Sequence, residues 1–382
     1  MSTAPANPSR SKTSEQVTRL LRQRIVDGRW PSGFRLPTRR ELEEELGVST
    51  ATIQKAMDVL VADGFIQTRG RAGTFVRHRL PHLTRIGLAV WKGLDLPYPH
   101  ARFVHALRRA AEQIQPLAGV EVQHYYDVSI DPPSKSFHKL CDDIDHARIG
   151  GVLGLAIHWD EARQTPLMQN PHLARAAVSA LPVQDVPRIR MEPYTDEVVA
   201  SIAAQGRQRL AVIYHARERC PSEVDDNGNE WATALRKRNL AVHHSRLIPV
   251  HSGTPQTAAV VAHLLMDLPH EIRPDALVIA DDHLVEATTN ALARIGVRVP
   301  EDLLVYGHAN LPDPPPSAVP MQWVGYHIPQ VVEAGLALLR LQLTGANPAG
   351  EPVVIPRFEP ALPSTVPGHA SSNGKPVVSA EA

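Results

Sequence analysis

Cysteine is nearly absent: Cys141 and Cys220 are the only two in 382 residues. That is too few for a disulfide framework and for a four-ligand zinc site. No apolar run approaches the roughly 20 residues needed to cross a bilayer. The opening stretch, MSTAPANPSRSKTSEQ, lacks the apolar core of a secretory signal. A soluble, cytoplasmic protein is therefore expected, with no membrane partner. The motifs of common catalysts are missing too. There is no Gly-x-Ser-x-Gly elbow, no phosphate loop, no His-Glu-x-x-His and no Cys-x-x-Cys. The 19 histidines are scattered, and the closest set, His243-His244 with His251, has no recognisable ligand spacing. Neither a cofactor nor a metal is expected.

What is present is a chain long enough for two or three domains, with 43% hydrophobic residues, enough to build real cores. Net charge is also absent, 40 Lys and Arg against 40 Asp and Glu, but the balance hides an asymmetry. Residues 1–82 carry 14 basic against 8 acidic side chains, and the remainder 26 against 32. A basic head on an acidic body suggests a phosphate-binding segment, because Lys and Arg displace counterions from a nucleic acid.

Residues 1–12 and 366–382 are rich in Ser, Pro, Ala and Gly without periodicity and read as disordered tails. A capping box at Thr13–Gln16 opens a first helix with Val17, Leu20, Leu21 and Ile25 on one face; it stops at Asp27-Gly28. A second box, Thr38–Glu41, opens a short helix with Leu42 and Leu46 inward and Gly47 as its stop. Ser49 then caps a third helix, with Ile53, Ala56, Met57, Leu60 and Val61 on the buried side. Phe65–Arg69 and Thr74–His78 flank Gly70-Arg71-Ala72-Gly73, a hairpin pattern. Three helices and a two-stranded wing make a winged helix-turn-helix over 13–78, joined by a linker at 79–84.

The third helix displays Thr50, Ala51, Gln54, Lys55 and Asp58 away from its core. A helix end entering the major groove needs short polar side chains, which Ser49, Thr50 and Thr52 supply. Gln54 can make two hydrogen bonds to an adenine, and Lys55 is placed for phosphate. Arg35, Arg39, Arg40 and the wing-tip Arg71 and Gly73 surround that surface. Double-stranded operator DNA is the expected partner.

From residue 85 on, short β-rich runs alternate with helical patterns, as doubly wound parallel sheets require. Expected strands are 85–91, 120–126, 150–158, 187–191, 209–215, 242–249, 276–280, 303–307 and 322–326. So many strands imply two sheets, hence two lobes. Ligand residues of such folds lie at the carboxyl ends of strands. Trp91, Tyr98, Trp159, Trp231, Asp282 and Asn310 are candidates there, with Asp281 or Asp282 alternatively a helix cap.

Two resemblances sharpen these readings. Gly33–Leu42 (GFRLPTRREL), Gly47–Ile53 (GVSTATI), Leu60–Ile66 (LVADGFI) and Gly70–Val76 (GRAGTFV) resemble the GntR-family DNA-binding domain. That implies operator contacts from Arg40, the Ser49, Thr50 and Thr52 turn, and the wing glycines. The family often has arginine where this chain has Thr50 and Gln54, so a different operator is expected. Residues 276–305, ALVIADDHLVEATTNALARIGVRVPEDLLV, are similar to the LacI-type sensor, a periplasmic-binding-protein fold, with further matches at 328–345 and 360–365. This resemblance covers 85–365. It implies an α/β fold of two lobes, a homodimer, and a small-molecule effector, perhaps a sugar, bound in the cleft with Asp282 as its acid. The family often has arginine where Asn227 stands, and aspartate where Ala309 stands. The reading is a ligand-responsive transcriptional regulator, a repressor by its simplest action. The competing reading is an enzyme on the two-lobed fold with an accessory DNA-binding head.

Overall fold

The computed structural model describes residues 12–92, 102–114, 119–179, 183–215, 226–251, 254–345 and 352–359. Tyr98 and the two terminal segments other than Lys12 lie outside them. The chain divides into two units. The first comprises residues up to Glu192 together with His327–Ile355, and the second comprises Pro193–Tyr326 with the residues after Ile355.

In the first unit, α1 (Ser14–Val26), α2 (Arg39–Leu46) and α3 (Thr50–Ala62) are followed by the wing strands β1 (Ile66–Thr68) and β2 (Thr74–Val76). Both expected capping boxes are formed: Thr13 with Gln16, and Thr38 with Glu41, each satisfying two otherwise orphaned backbone N–H groups. Gly47 ends α2 in the left-handed region at φ 66°, and Ser49 caps α3 through the Thr52 N–H. Val17, Leu21, Leu42, Ile53, Leu60 and Phe65 fill one small core. Val61, expected inside, is 43% exposed, because the inward stripe of α3 ends at Leu60. Polar side chains take unexpected places instead: Thr18 and Arg22 of α1 are buried.

The expected linker is not loose. Pro81–Thr84 form one helical turn, α4, with Leu80 and Pro81 buried, and it runs directly into β3 (Arg85–Trp91). Then follow α5 (Arg102–Glu112), β4 (Glu121–Val128), α6 (Lys135–Asp145), β5 (Gly151–Leu155), α7 (Pro166–Gln169), β6 (Ala174–Val178) and β7 (Arg190–Met191). Strands β4-β3-β5-β6 form a parallel sheet in that order. β6 is absent from the expected strands: its sequence ARAAV has neither clean alternation nor β-branched enrichment beyond its final valine.

The second unit carries α8 (Thr195–Ala204), β8 (Leu210–His215), α9 (Asp226–Lys237), β9 (Leu247–Val250), α10 (Pro255–Met266), β10 (Ala276–Ile279), α11 (Asp282–Arg294), β11 (Leu304–Leu311) and β12 (Gln322–His327). The last strand's final residue passes into the first unit, where α12 (Ile328–Leu343) packs on β5 and β6. β13 (Val353–Val354) pairs with β7, and β14 (Arg357–Glu359) returns to pair antiparallel with β12. The sheet order is β14-β12-β11-β10-β8-β9, with β11, β10, β8 and β9 mutually parallel. β9 begins at Leu247 rather than 242, since His244–Arg246 form a 3-10 turn. Its neighbours show why this sheet is buried on both faces. Ala211, Ile213, Leu277 and Ile279 face α10 and α11, while Leu210, Val212, Ala276 and Val278 face α8 and α9.

Candidate functional site

The first candidate surface is the amino end of α3. Ser49, Thr50, Ala51 and Lys55 are exposed, as are Arg35, Arg39, Arg40 and Arg71 around them. The small side chains are tied to one another. The Ser49 and Thr52 hydroxyls are 2.9 Å apart, and the Thr50 hydroxyl donates to Glu43 at 2.5 Å. Gln54 donates to Asp58 at 2.6 Å along the same helix face. Arg40 pairs with Glu44 at 3.1 Å, both exposed, so water screens that pair and leaves the guanidinium available. At the wing, Gly73 has φ 108°, and a Cβ there would stand 3.0 Å from the Arg35 Nε. Glycine at this position therefore both allows the turn and admits Arg35 beside the wing. Helix end, flanking arginines and wing thus present exposed hydroxyl and guanidinium groups, with Arg35 held beside the wing.

The second candidate site gathers at the carboxyl ends of the parallel strands of the second unit. Asp281, not Asp282, caps α11: its carboxylate accepts from the His283 N–H at 2.8 Å and from His283 Nδ1 at 2.7 Å. Asp282 is thereby released from the capping role. It is 5% exposed, accepts from Asn310 Nδ2 at 2.6 Å, and lies 3.1 Å from His283 Nδ1. Asn310 and His308 point to one face of β11, two residues apart. His308 stacks on Tyr194 at 5.5 Å between ring centroids, and Tyr326 closes on both at 6.3 Å. His215, ending β8, stands 3.6 Å from the Asp281 carboxylate and 6.1 Å from the ring of His251.

Burial governs the electrostatics here. It pushes the Asp281 carboxyl up, but the hydrogen bonds and charge of His283, aided by His215, outweigh it and hold the carboxyl below its ordinary value. His308 is pushed down by burial, against the pull of Asp282 and Asp281. Tyr194 is pushed up by burial and by the surrounding acidic groups. The site can thus present the ionised Asp281 carboxylate beside neutral aromatic faces. Ligand atoms of Asp281, Asp282 and His283 lie within 4.8 Å of one another. In this structure His283 Nδ1 lies between the two carboxylates and Asn310 donates to Asp282.

Other expected positions fare differently. Trp231 lies in the second turn of α9, 3% exposed, inside the core; it meets the site only by its edge on Tyr194 at 6.4 Å. Asn227 begins the same helix, and its side chain is outside the described residues. In the first unit, Trp91 ends β3 and packs against His158 at 4.9 Å. Trp159 is 3% exposed within the core beside Gly154, where a Cβ would come 2.5 Å from its ring. The sequence reasoning missed His215, His283, His308, Tyr194 and Tyr326. For the two histidines that end or follow a strand, the strand-end rule that selected Asp282 would have found them.

Comparison with known proteins agrees with this architecture. Residues 13–76 match the family model described as bacterial regulatory proteins, gntR family, and residues 199–360 match a periplasmic binding protein-like domain. An arabinose metabolism transcriptional repressor of Halalkalibacterium halodurans is 23% identical over 309 residues, covering 76% of this chain and 79% of that protein. A histidine utilization repressor of Pseudomonas putida is 41% identical over 61 residues, 16% of this chain and 25% of that protein. An uncharacterized HTH-type transcriptional regulator of Bacillus subtilis is 38% identical over 77 residues, 20% of this chain; the match spans only 16% of that protein's length. Among solved structures, a LacI-family regulatory protein from Chloroflexus aggregans superposes with TM-score 0.53 at 17% identity, covering 73% of this chain and 98% of the other. A LacI-family sugar-binding transcriptional regulator from Escherichia coli gives 0.53 at 15% identity, over 72% and 96%. These likenesses are to the fold of the body; the head is accounted for by its own family model. The chain thus joins a gntR-family winged helix-turn-helix domain to a periplasmic-binding-protein-like domain.

Proposed function

We propose that this chain is a ligand-responsive transcriptional regulator, acting as a homodimeric repressor. In this reading residues 13–78 read operator DNA and residues 85–365 bind the effector. One observation carries it: an exposed, capped recognition-helix end and a strand-end cluster of buried polar groups occur in one chain, each on its own fold. The repressors named above, one of them for arabinose metabolism, support the same reading. The enzyme alternative has no comparable support, since those relatives are named as regulators.

The effector we favour is a small hydroxylated molecule such as a sugar. An ionised carboxylate can accept from two adjacent hydroxyls, each charge-assisted bond contributing about 1.5–3 kcal/mol. Asp282 and Asn310 would supply acceptor and donor, and Tyr194 and Tyr326 the apolar faces. Ligand closure would change the spacing of the two heads of the dimer, and DNA would alter effector affinity by the same factor. A thermal-shift screen of sugars and related metabolites tests this. A ligand at 100 times its Kd adds about 2.7 kcal/mol of stability, and a screen in which no such compound moves the midpoint counts against the effector class.

A further inference from the structure

The head and the lobe built on β3–β6 belong to one unit, and they meet through a buried chain of alternating charge. Asp63 closes the carboxyl end of the recognition helix α3. One of its oxygens accepts from Arg22 of α1 at 2.5 Å, and the other from Arg148 Nε at 2.7 Å. Arg148 stands between α6 and β5. Its Nη1 reaches Asp142 at 2.6 Å and Asp143 at 3.1 Å. Asp143 is held further by Tyr125 at 2.7 Å and Lys139 at 2.5 Å. The side chains of Arg22, Asp63 and Asp143 are 5%, 10% and 7% exposed and that of Arg148 is 24%, so solvent screens the contacts around Asp63 little, while Asp142, 53% exposed, lies at the edge.

Three neighbouring contacts agree. Ala147, next to Arg148, packs against the head core with φ 49°. His82 of α4 stacks on Phe65 at 5.9 Å. Gly150 lets the lobe approach the connection so closely that a Cβ would come 1.9 Å from the His82 carbonyl oxygen. The exposed amino end of α3 is left uncovered by all of these.

We propose that Arg148 is a clamp between the carboxyl end of the recognition helix and the first sensor lobe, making head and lobe one rigid body. The head then turns with its lobe instead of swinging on residues 79–84. Any rotation of that lobe is delivered to the DNA-reading edge without loss in a loose joint. The rigidity of head and lobe holds without DNA or effector; its use in moving the DNA-reading edge rests on the proposed function.

Arg148→Ala is the informative variant, because it strands no charge. Asp63 keeps Arg22, Asp143 keeps Lys139 and Tyr125, and Asp142 keeps His146 at 3.0 Å. Asp63→Ala would instead leave Arg22 buried without its carboxylate and would report on folding. A dye placed on Ser32→Cys, in the full chain with Cys141→Ala and Cys220→Ala, reports head motion by time-resolved fluorescence anisotropy. With Arg148 present, one slow decay of the whole particle is expected; with Arg148→Ala a second decay, several-fold faster, should appear. A fast decay already present with Arg148 intact, or none in the folded alanine variant, overturns the clamp. If the alanine variant does not fold, Arg148→Gln, which keeps the side-chain stem as far as Cδ and removes the charge, is read by the same two outcomes.

Discussion

Gln54 gives one Nε2 proton to Asp58 at 2.6 Å, which orients its amide and leaves the second proton and the carbonyl oxygen for a base. Gln54→Ala should relax preference at a single base position, at roughly 1–3 kcal/mol of discrimination, while Lys55→Ala should weaken all sequences alike. Binding isotherms across single-base variants of a selected site separate the two; uniform weakening by Gln54→Ala would contradict its role. Asp282 is the corresponding residue of the sensor. With Asp281 identified as the cap, Asp282→Asn removes no helix-end bond, and Asn can still accept from Asn310 through its carbonyl oxygen. The variant should fold and bind DNA normally, yet need about ten-fold more effector, as expected for loss of one charge-assisted bond. Operator release against effector concentration measures this, and an unchanged midpoint removes Asp282 from the site.

At the scale of elements, local chemistry was legible where it is written in neighbouring residues. The boxes Thr13–Gln16 and Thr38–Glu41, the stop at Gly47 and the cap at Ser49 all appear where the sequence placed them. What was not legible depends on residues far apart. Arg22, Asp63 and Arg148 are separated by 41 and 85 positions, and no periodicity marks them as partners. Likewise β6 takes its strand from pairing with β5, not from its alanine-rich sequence. The connection α4 was read as a linker because four residues cannot show that their side chains are packed. One consequence is measurable. Burial pushes His82 down to about 4 from an ordinary 6.5. Below pH 6.5 the unfolded chain protonates this histidine while the native one does not, so stability falls with pH from about 6.5 to about 4 and then levels. At about 1.4 kcal/mol per pH unit, the loss approaches about 3 kcal/mol. His82→Phe should keep the stack on Phe65 and flatten that slope. Urea midpoints at pH 7 and 4.5 test it, and equal slopes in the two proteins would refute the assignment.

At the scale of the whole molecule, the division of labour follows charge. The basic head, with 14 basic against 8 acidic residues in 1–82, meets phosphates, and the acidic remainder does not compete for them. Affinity for DNA should therefore fall steeply with salt, whereas the Arg148–Asp63 contact, its carboxylate 10% exposed, should loosen far less. The central claim is that one chain both selects a DNA sequence and releases it to a small molecule. Selection of random duplexes by the full-length protein, followed by displacement of the winning duplex with a library of neutral hydroxylated metabolites, tests it in one measurement. The account predicts an enriched inverted repeat and at least one compound that changes its retention in a dose-dependent way. Recovery of no enriched motif, or a motif whose retention no compound alters, would contradict it.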